Sequence, residues 1–241
     1  MPTDTLTTTA RIIEVFSSIQ GEGIYVGQPH LFIRFWDCNL KCHYCDTDYR
    51  GPYTEMTMTD LEGRVSQLLV EGGAHDAVSL TGGEPLLWWQ FLTGLLPHLQ
   101  AMGQRTYLET NGTLAKPLAE VLEWVDVIAM DLKPSSATAD RTTWAEHTAF
   151  LNVALRAARP VELFVKVIVT PETTDDDLEQ AVTLIAETGR TIPFVLQPVT
   201  PHGPVTAAPS PAQLTRWLQR ARTRLDDVRV IPQIHPLLRV R

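Results

Sequence analysis

The sequence predicts an α/β fold assembled from parallel βαβ units, and three observations carry that expectation. Short runs rich in β-branched residues recur along the 241 residues, and such runs suit strands buried on both faces. Amphipathic segments with capping signals lie between most of them. Glycines and polar side chains gather where the runs end, the edge at which parallel sheets bind ligands. An open doubly wound sheet and a full or partial barrel both satisfy the pattern.

Taken in order, strands are expected at Arg11–Phe16, Leu31–Trp36, Ala77–Leu80, Thr106–Glu109, Val127–Asp131, Val161–Val169, Phe194–Gln197 and Val228–Ile231. Thr59-Asp60-Leu61-Glu62 fits a capping box, with Leu61, Val65, Leu68 and Leu69 following on one helix face. Thr174 precedes Asp175, Asp176 and Asp177, and negative charge in a first turn meets the positive end of the helix dipole. Ser210-Pro211-Ala212-Gln213 supplies an N-cap, a proline at the first helical position and a glutamine at the third. Ser135–Thr143 and Pro201–Pro209 are rich in Ser, Thr, Ala and Pro and are expected to be loops, either covers over a site or passive connectors. A single domain over residues 1–241 is expected, with residues 1–9 a loose tail and no internal repeat.

Acidic residues number 28 against 20 basic, a net charge of −8. Nucleic-acid binding calls for a basic footprint. Arg216, Arg220, Arg222 and Arg224 come closest, but at helical spacing beside Asp226 and Asp227 they describe a solvated helix face. No apolar run reaches the length of a membrane span. The Thr-rich stretch up to Thr9 lacks the basic region of a signal peptide. With free thiols besides, the expected compartment is the reducing cytoplasm, and the expected ligand a small molecule.

All three cysteines fall in one run, Cys38-Asn39-Leu40-Lys41-Cys42-His43-Tyr44-Cys45. An odd, tightly spaced set is no disulfide framework. Three thiolates satisfy three irons of a four-iron cube and leave the fourth open to a ligand that is not protein, whereas clusters that only carry electrons take four cysteines. Zinc held by three cysteines and His43 is the alternative, although His43 adjoins Cys42 and is poorly placed to close the same tetrahedron. Buried inert thiols are a third reading, which the polarity of the run opposes.

The spacing C-x-x-x-C-x-x-C, with Tyr44 before the last cysteine, resembles the signature of the radical S-adenosylmethionine superfamily. Thr81-Gly82-Gly83-Glu84-Pro85, at the end of a strand, resembles that superfamily's GGEP segment. Two glycines there permit close backbone approach, and Glu84 can accept from an ammonium. Further along, Ile19-Gln20-Gly21-Glu22-Gly23, Phe32-Ile33-Arg34-Phe35 and Cys45-Asp46-Thr47 extend the resemblance over nearly the whole chain, to the 7-carboxy-7-deazaguanine synthase family.

That resemblance implies a partial, modified and open (β/α) barrel of the radical SAM type. It implies a [4Fe-4S] cluster whose open iron chelates S-adenosylmethionine, cleaved by one electron to start radical chemistry, with Mg²⁺ as a further cofactor. The implied reaction converts 6-carboxy-5,6,7,8-tetrahydropterin to 7-carboxy-7-deazaguanine by ring contraction with loss of ammonia, on the route to queuosine and other 7-deazapurines. A homodimer and an external electron donor such as flavodoxin or ferredoxin are implied as partners.

By matching position, Cys38, Cys42 and Cys45 would hold the cluster, and Thr47 would offer its hydroxyl to Mg²⁺. Tyr44, Asp46, Gly83, Glu84, Asp131, Lys133 and Gln197 would meet S-adenosylmethionine. Ile19, Gln20, Gly21, Arg34, Thr81 and His235 would meet the pterin, Arg34 through a guanidinium fork suited to a carboxylate. Arg34 has a plainer role open to it, an ion pair with Glu14 or Asp37. The chain departs from the family twice. Asp131-Leu132-Lys133 stands where Ser-Pro-Lys is expected, so Asp131 is offered to a ribose hydroxyl instead. Pro236 replaces a basic residue after Gln233-Ile234-His235, which leaves His235 open to being an ordinary histidine. Trp88 and Trp89 are expected in the core and at a subunit contact. A radical SAM activase of a glycyl-radical enzyme and a zinc-bound binding module are the competing functions.

Overall fold

Nine strands form one open sheet in the order β3-β1-β2-β4-β5-β6-β7-β8-β9, in a computed structural model that describes residues 8–138 and 141–240. The strands are β1 (Thr9–Ile19), β2 (Pro29–Phe35), β3 (Thr54–Thr57), β4 (Ala77–Gly82), β5 (Thr106–Thr110), β6 (Val127–Leu132), β7 (Glu162–Val169), β8 (Phe194–Pro198) and β9 (Val228–Val230). From β2 onward, neighbours pair in parallel. β1 lies antiparallel between β2 and β3. The edges β3 and β9 do not meet, so the expected barrel takes its open form.

Helices follow the parallel strands as short crossovers require. They are α1 (Met58–Glu71), α2 (Trp89–Ala101), α3 (Ala115–Val121), α4 (Ser135–Thr138), α5 (Trp144–Ala154), α6 (Asp175–Thr188), α7 (Pro211–Arg222) and α8 (His235–Leu238). Their apolar faces bury Leu61 and Val65 of α1, Phe91, Leu92 and Leu95 of α2, Phe150 of α5 and Trp217 of α7, against Leu31, Ile33, Val78 and Leu80 of the sheet. Each such side chain contributes roughly 1.5–3 kcal/mol by leaving water. On the sheet's other face Tyr107, Val127, Ala129, Phe164 and Val195 make a second cluster, closed by Ile24 and Tyr25. That plug fills one end of the inner face. Beyond it the same face is hollow.

Four expectations need correction. The capping box of α1 starts at Thr57, whose side chain accepts from the N–H of Asp60 while Asp60 accepts from the N–H of Thr57. Thr59 therefore sits inside the helix. β3 was not expected, since Thr54-Glu55-Met56-Thr57 has no apolar run and pairs only at an edge. The loop over Ser135–Thr143 contains α4, and its buried Thr143 donates to the carbonyl of Lys133 at 2.8 Å. The expected tail at residues 1–9 lies outside the described residues except Thr8 and Thr9, and Thr9 already opens β1. By contrast Thr174 and Ser210 cap α6 and α7 as expected. Arginines of α7 and of the turn after it pair with α6: Arg216 and Arg220 reach Asp175 at 3.0 and 2.9 Å, and Arg224, just past α7, reaches Glu179 at 2.8 Å.

Candidate active site

The hollow end of the inner face is a cavity of about 710 Å³, lined by segments that follow β1, β2, β4, β5, β6, β8 and β9. Cys38, Cys42, Tyr44, Cys45, Asp46 and Thr47 line it from the loop after β2. That loop is closed by backbone bonds: Asp37 N–H donates to the Tyr49 carbonyl at 2.8 Å. Asp37 takes a left-handed φ of 69°, which lets its own Oδ1 accept from the Cys38 N–H at 2.8 Å.

The turn after β4 presses on the cysteine loop. Gly83 N–H donates to the Phe35 carbonyl at 3.1 Å and Glu84 N–H to the Asp37 carbonyl at 2.9 Å. A Cβ on Gly83 would lie 1.8 Å from the Asp37 carbonyl oxygen, and one on Gly82, at φ 131°, would lie 2.2 Å from that of Phe35. Only two glycines allow this approach. Glu84 itself departs from expectation: it is fully buried and absent from the cavity wall. Its Oε1 accepts from Leu86 N–H at 3.0 Å, its Oε2 from Asn111 N–H at 2.8 Å, and Thr110 donates to both oxygens. Burial pushes its carboxyl up to about 7 against these donors. Glu84 thus ties two loops together from below.

Strand register builds the opposite wall. Glu14, Arg34 and Thr81 stand in one row across β1, β2 and β4, where neighbouring side chains on one face meet. Arg34 Nε bonds Glu14 Oε1 at 2.9 Å, the plainer role anticipated for it, and still faces the cavity, where its Nη1 donates to Thr47 Oγ1 at 3.2 Å. Thr81 Oγ1 donates to Glu109 Oε2 at 2.6 Å, and Gln20 Nε2 to Glu109 Oε1 at 2.9 Å. Ile19, Gln20 and Gly21 all line the cavity. The C-terminal segment docks on them: Ile234 N–H donates to the Gly21 carbonyl at 2.9 Å, and the His235 ring packs over Gly21.

A chain of alternating charge crosses the floor. Lys133 Nζ lies 2.8 Å from Asp131 Oδ2 and 5.2 Å from the centre of the Tyr44 ring. Asp131 stands beside Lys166 in the β6–β7 register, at 3.2 Å, and Lys166 also pairs with Glu22. Gln233 Nε2 bridges Glu22 Oε1 at 2.7 Å and Asp46 Oδ2 at 3.2 Å, and Asp46 lies 3.6 Å from His235. Burial raises the Glu22 carboxyl, but the charge and hydrogen bond of Lys166, with help from Gln233 and Gln197, outweigh it and hold it at about 2. Burial works to lower Lys133, and Asp131 more than reverses it. The His235 imidazole is raised, mainly by its bond to Asp46. Gln197 is fully buried beneath this floor, on the side of Glu22, and does not reach the cavity wall.

Glu22, Glu109 and Lys166 join the site although the sequence reading assigned them no ligand, and Gln233 joins it from the C-terminal tail that reading had matched to the family. The signal was present for two of them: a charge inside or ending a strand that is otherwise apolar is costly unless it is used or paired.

The three thiols are not joined in disulfides, are half-buried, and all border the same cavity. Burial pushes the Cys38 thiol up to about 11 and raises Cys45 as well, so a metal must displace protons to bind them. Among the described residues, no three His, Cys, Asp or Glu side chains converge on one point fit for a single metal ion. Thr47 keeps an acceptor lone pair beyond its bond from Arg34.

The family model of the Radical SAM superfamily matches residues 36–185. The chain is 38% identical to the 7-carboxy-7-deazaguanine synthase of Geobacter sulfurreducens, over 94% of its own length and 96% of that protein's. It is 35% identical to the 7-carboxy-7-deazaguanine synthase of Methanothermobacter thermautotrophicus, over 96% and 98% of the two chains. Among solved structures its fold is similar to QueE from Escherichia coli, with TM-score 0.63 and 19% identity over 94% and 95% of the two chains. Streptococcus suis SuiB bound to S-adenosylmethionine shares the fold with TM-score 0.58 and 17% identity, over 81% of this chain and 48% of that one.

Proposed function

Because the chain belongs to the 7-carboxy-7-deazaguanine synthases of the radical SAM superfamily, we propose that its cavity carries out ring contraction of 6-carboxy-5,6,7,8-tetrahydropterin with loss of ammonia. One observation carries the proposal: the cysteine loop and the Gln20–Arg34–Thr81–Glu109 wall face each other across a single cavity of about 710 Å³, room enough for a cofactor and a bicyclic substrate together.

The superfamily implies a [4Fe-4S] cluster with S-adenosylmethionine, and when bound these supply a radical able to abstract hydrogen. Cys38, Cys42 and Cys45 are assigned to the cluster. The Gly82–Gly83 backbone, Tyr44, Asp46, Asp131 and Lys133 border the space beside it and are assigned to S-adenosylmethionine. Lys133 meets its carboxylate, and Asp131, half of whose carboxylate is engaged by lysines, meets a ribose hydroxyl. Glu84 and Gln197 support this region from beneath without touching ligand. Arg34 orients the substrate carboxylate. The Glu109 carboxylate, already fixed by Gln20 and Thr81, accepts from the pterin's N–H groups, and His235 and Gly21 cover the ring. Thr47 would offer its hydroxyl to Mg²⁺, a hard cation that takes oxygen ligands.

Among the described residues no helix is long and apolar enough to cross a membrane. A cytoplasmic homodimer fed by flavodoxin or ferredoxin completes the proposal, and light scattering reads its subunit count. The deciding experiment is anaerobic turnover of the reconstituted chain with S-adenosylmethionine, reductant and carboxytetrahydropterin, with and without Mg²⁺. Formation of 7-carboxy-7-deazaguanine with one ammonia per turnover is expected. Consumption of S-adenosylmethionine with no change in the pterin would overturn the substrate assignment.

A further inference from the structure

A side-chain network with no part in the roles above grips the first cysteine. Asn39, next to Cys38, donates through Nδ2 to Thr113 Oγ1 at 2.8 Å and accepts at Oδ1 from Asn111 Nδ2 at 2.8 Å. Thr113 donates to Asn111 Oδ1 twice, from its N–H at 3.1 Å and from Oγ1 at 2.6 Å. A carboxamide offers two acceptor lone pairs and two N–H hydrogens. Both lone pairs of Asn111 are therefore taken by Thr113, and one hydrogen by Asn39. A backbone N–H can only donate, so the Asn111 oxygen must face Thr113 and the amide cannot be flipped. Its remaining hydrogen is left for sulfur: Asn111 Nδ2 lies 3.8 Å from Cys38 Sγ. The main chain of Asn111 is fixed as well, by Glu84 at 2.8 Å on its N–H and by His147 Nε2 at 3.1 Å on its carbonyl. Asn111 and Thr113 are both buried.

We infer that the Asn111 carboxamide sets the reduction potential of the cluster through an N–H···S hydrogen bond to the Cys38 thiolate. The inference rests on the assignment of Cys38 to the cluster. One electron from an external low-potential carrier adds negative charge that the thiolate sulfurs share, and no bond to Asn111 is made or broken. An N–H dipole aimed at one of those sulfurs stabilises the reduced state more than the oxidised state, and so raises the potential. Its effect is large because the dipole is oriented in advance and shielded from water. Asn111 is thus a positioning and tuning residue. Glu84, Asn39 and Thr113 act through it.

The test compares the anaerobically reconstituted full chain with Asn111→Ala, Asn111→Asp and Thr113→Val, without S-adenosylmethionine. Iron and sulfide content, and midpoint potential by EPR-monitored redox titration, are read on each. At the wild-type midpoint Asn111→Ala should show a reduced-to-oxidised ratio on the order of tenfold lower, a negative shift of about 59 mV for a one-electron couple. Asn111→Asp should shift further, because a carboxylate repels the added charge, and Thr113→Val less. Unchanged midpoints in fully loaded variants overturn the inference. If the variants fail to load iron, wild-type protein labelled with ¹⁵N in asparagine side chains decides. Pulsed EPR of its reduced cluster should show coupling to an amide ¹⁵N, and none overturns the inference. A wild-type chain with no four-iron signal at all overturns the cysteine assignment instead, a distinct result.

Discussion

Arg34 is held at one side by Glu14 and turned toward the cavity at the other, so its fork is already oriented before substrate arrives. Replacing it by lysine keeps the charge and loses the planar pair of donors. Arg34→Lys should weaken binding of carboxytetrahydropterin by about 10–100-fold, the worth of a charged hydrogen bond, and leave iron content untouched. Substrate titration and iron assay read the two effects separately. Unchanged affinity would remove Arg34 from the substrate site. The cysteines' place at the cavity was legible in the sequence because all three lie in one run. Glu109 and Asn111 were legible only as polar residues at a strand's end, and Lys166 not at all, because their partners come from other strands and only register brings Lys166 beside Asp131 or Thr81 beside Arg34. The orientation of Glu84 was hidden for a related reason: the turn after β4 points its carboxylate into the protein, toward the N–H groups of Leu86 and Asn111.

At the scale of elements, the two loops after β2 and β4 behave as one unit, since Gly83 admits no Cβ against Asp37. Gly83→Ala should push the cysteine loop away and cut iron loading several-fold, with far-UV circular dichroism unchanged. Normal iron content in this variant would show the contact to be dispensable. The C-terminal segment is a second such element, docked by Ile234 on Gly21 and by His235 on Asp46. Because Asp46 raises the His235 imidazole, this contact is strongest below the unfolded value near 6.5 and is lost as pH rises through the higher folded value. His235→Ala should raise KM for the pterin several-fold in neutral and mildly acidic buffer, with the gap closing in alkali. A gap independent of pH would rule out the ion pair as the cause. Most elements were legible from strand-like runs and caps. The start of α1 was read two residues late, at Thr59, because the Thr57-x-x-Asp60 box that caps it uses an aspartate and follows directly on the edge strand β3.

At the scale of the whole molecule, the polar chain from Lys133 through Lys166 and Glu22 to Asp46 joins β6, β7, the turn after β1, the cysteine loop and the C-terminal segment. Glu22 sits at about 2 when folded, against 4.5 for its ordinary value. The unfolded chain therefore binds more protons between these values. The resulting stability, on the order of 3 kcal/mol, is complete above about pH 4.5 and disappears as pH falls toward 2. Glu22→Gln should cost a similar amount at pH 7, where it leaves Lys166 short of a partner, and the difference from wild type should shrink in acid. Urea midpoints at pH 7 and pH 3 measure it, and equal differences at both would contradict the pairing. The grip on Cys38 has a different consequence for the newly made chain. Cys38 leaves the ribosome well before Gly83, and Asn111 follows it by 73 residues. The binding corner thus takes shape only when that later stretch has emerged and folded back. With Cys38 as a cluster ligand, iron delivery would wait for the first half of the protein to be synthesised, and a nascent chain stalled short of Asn111 would offer its thiols without this grip.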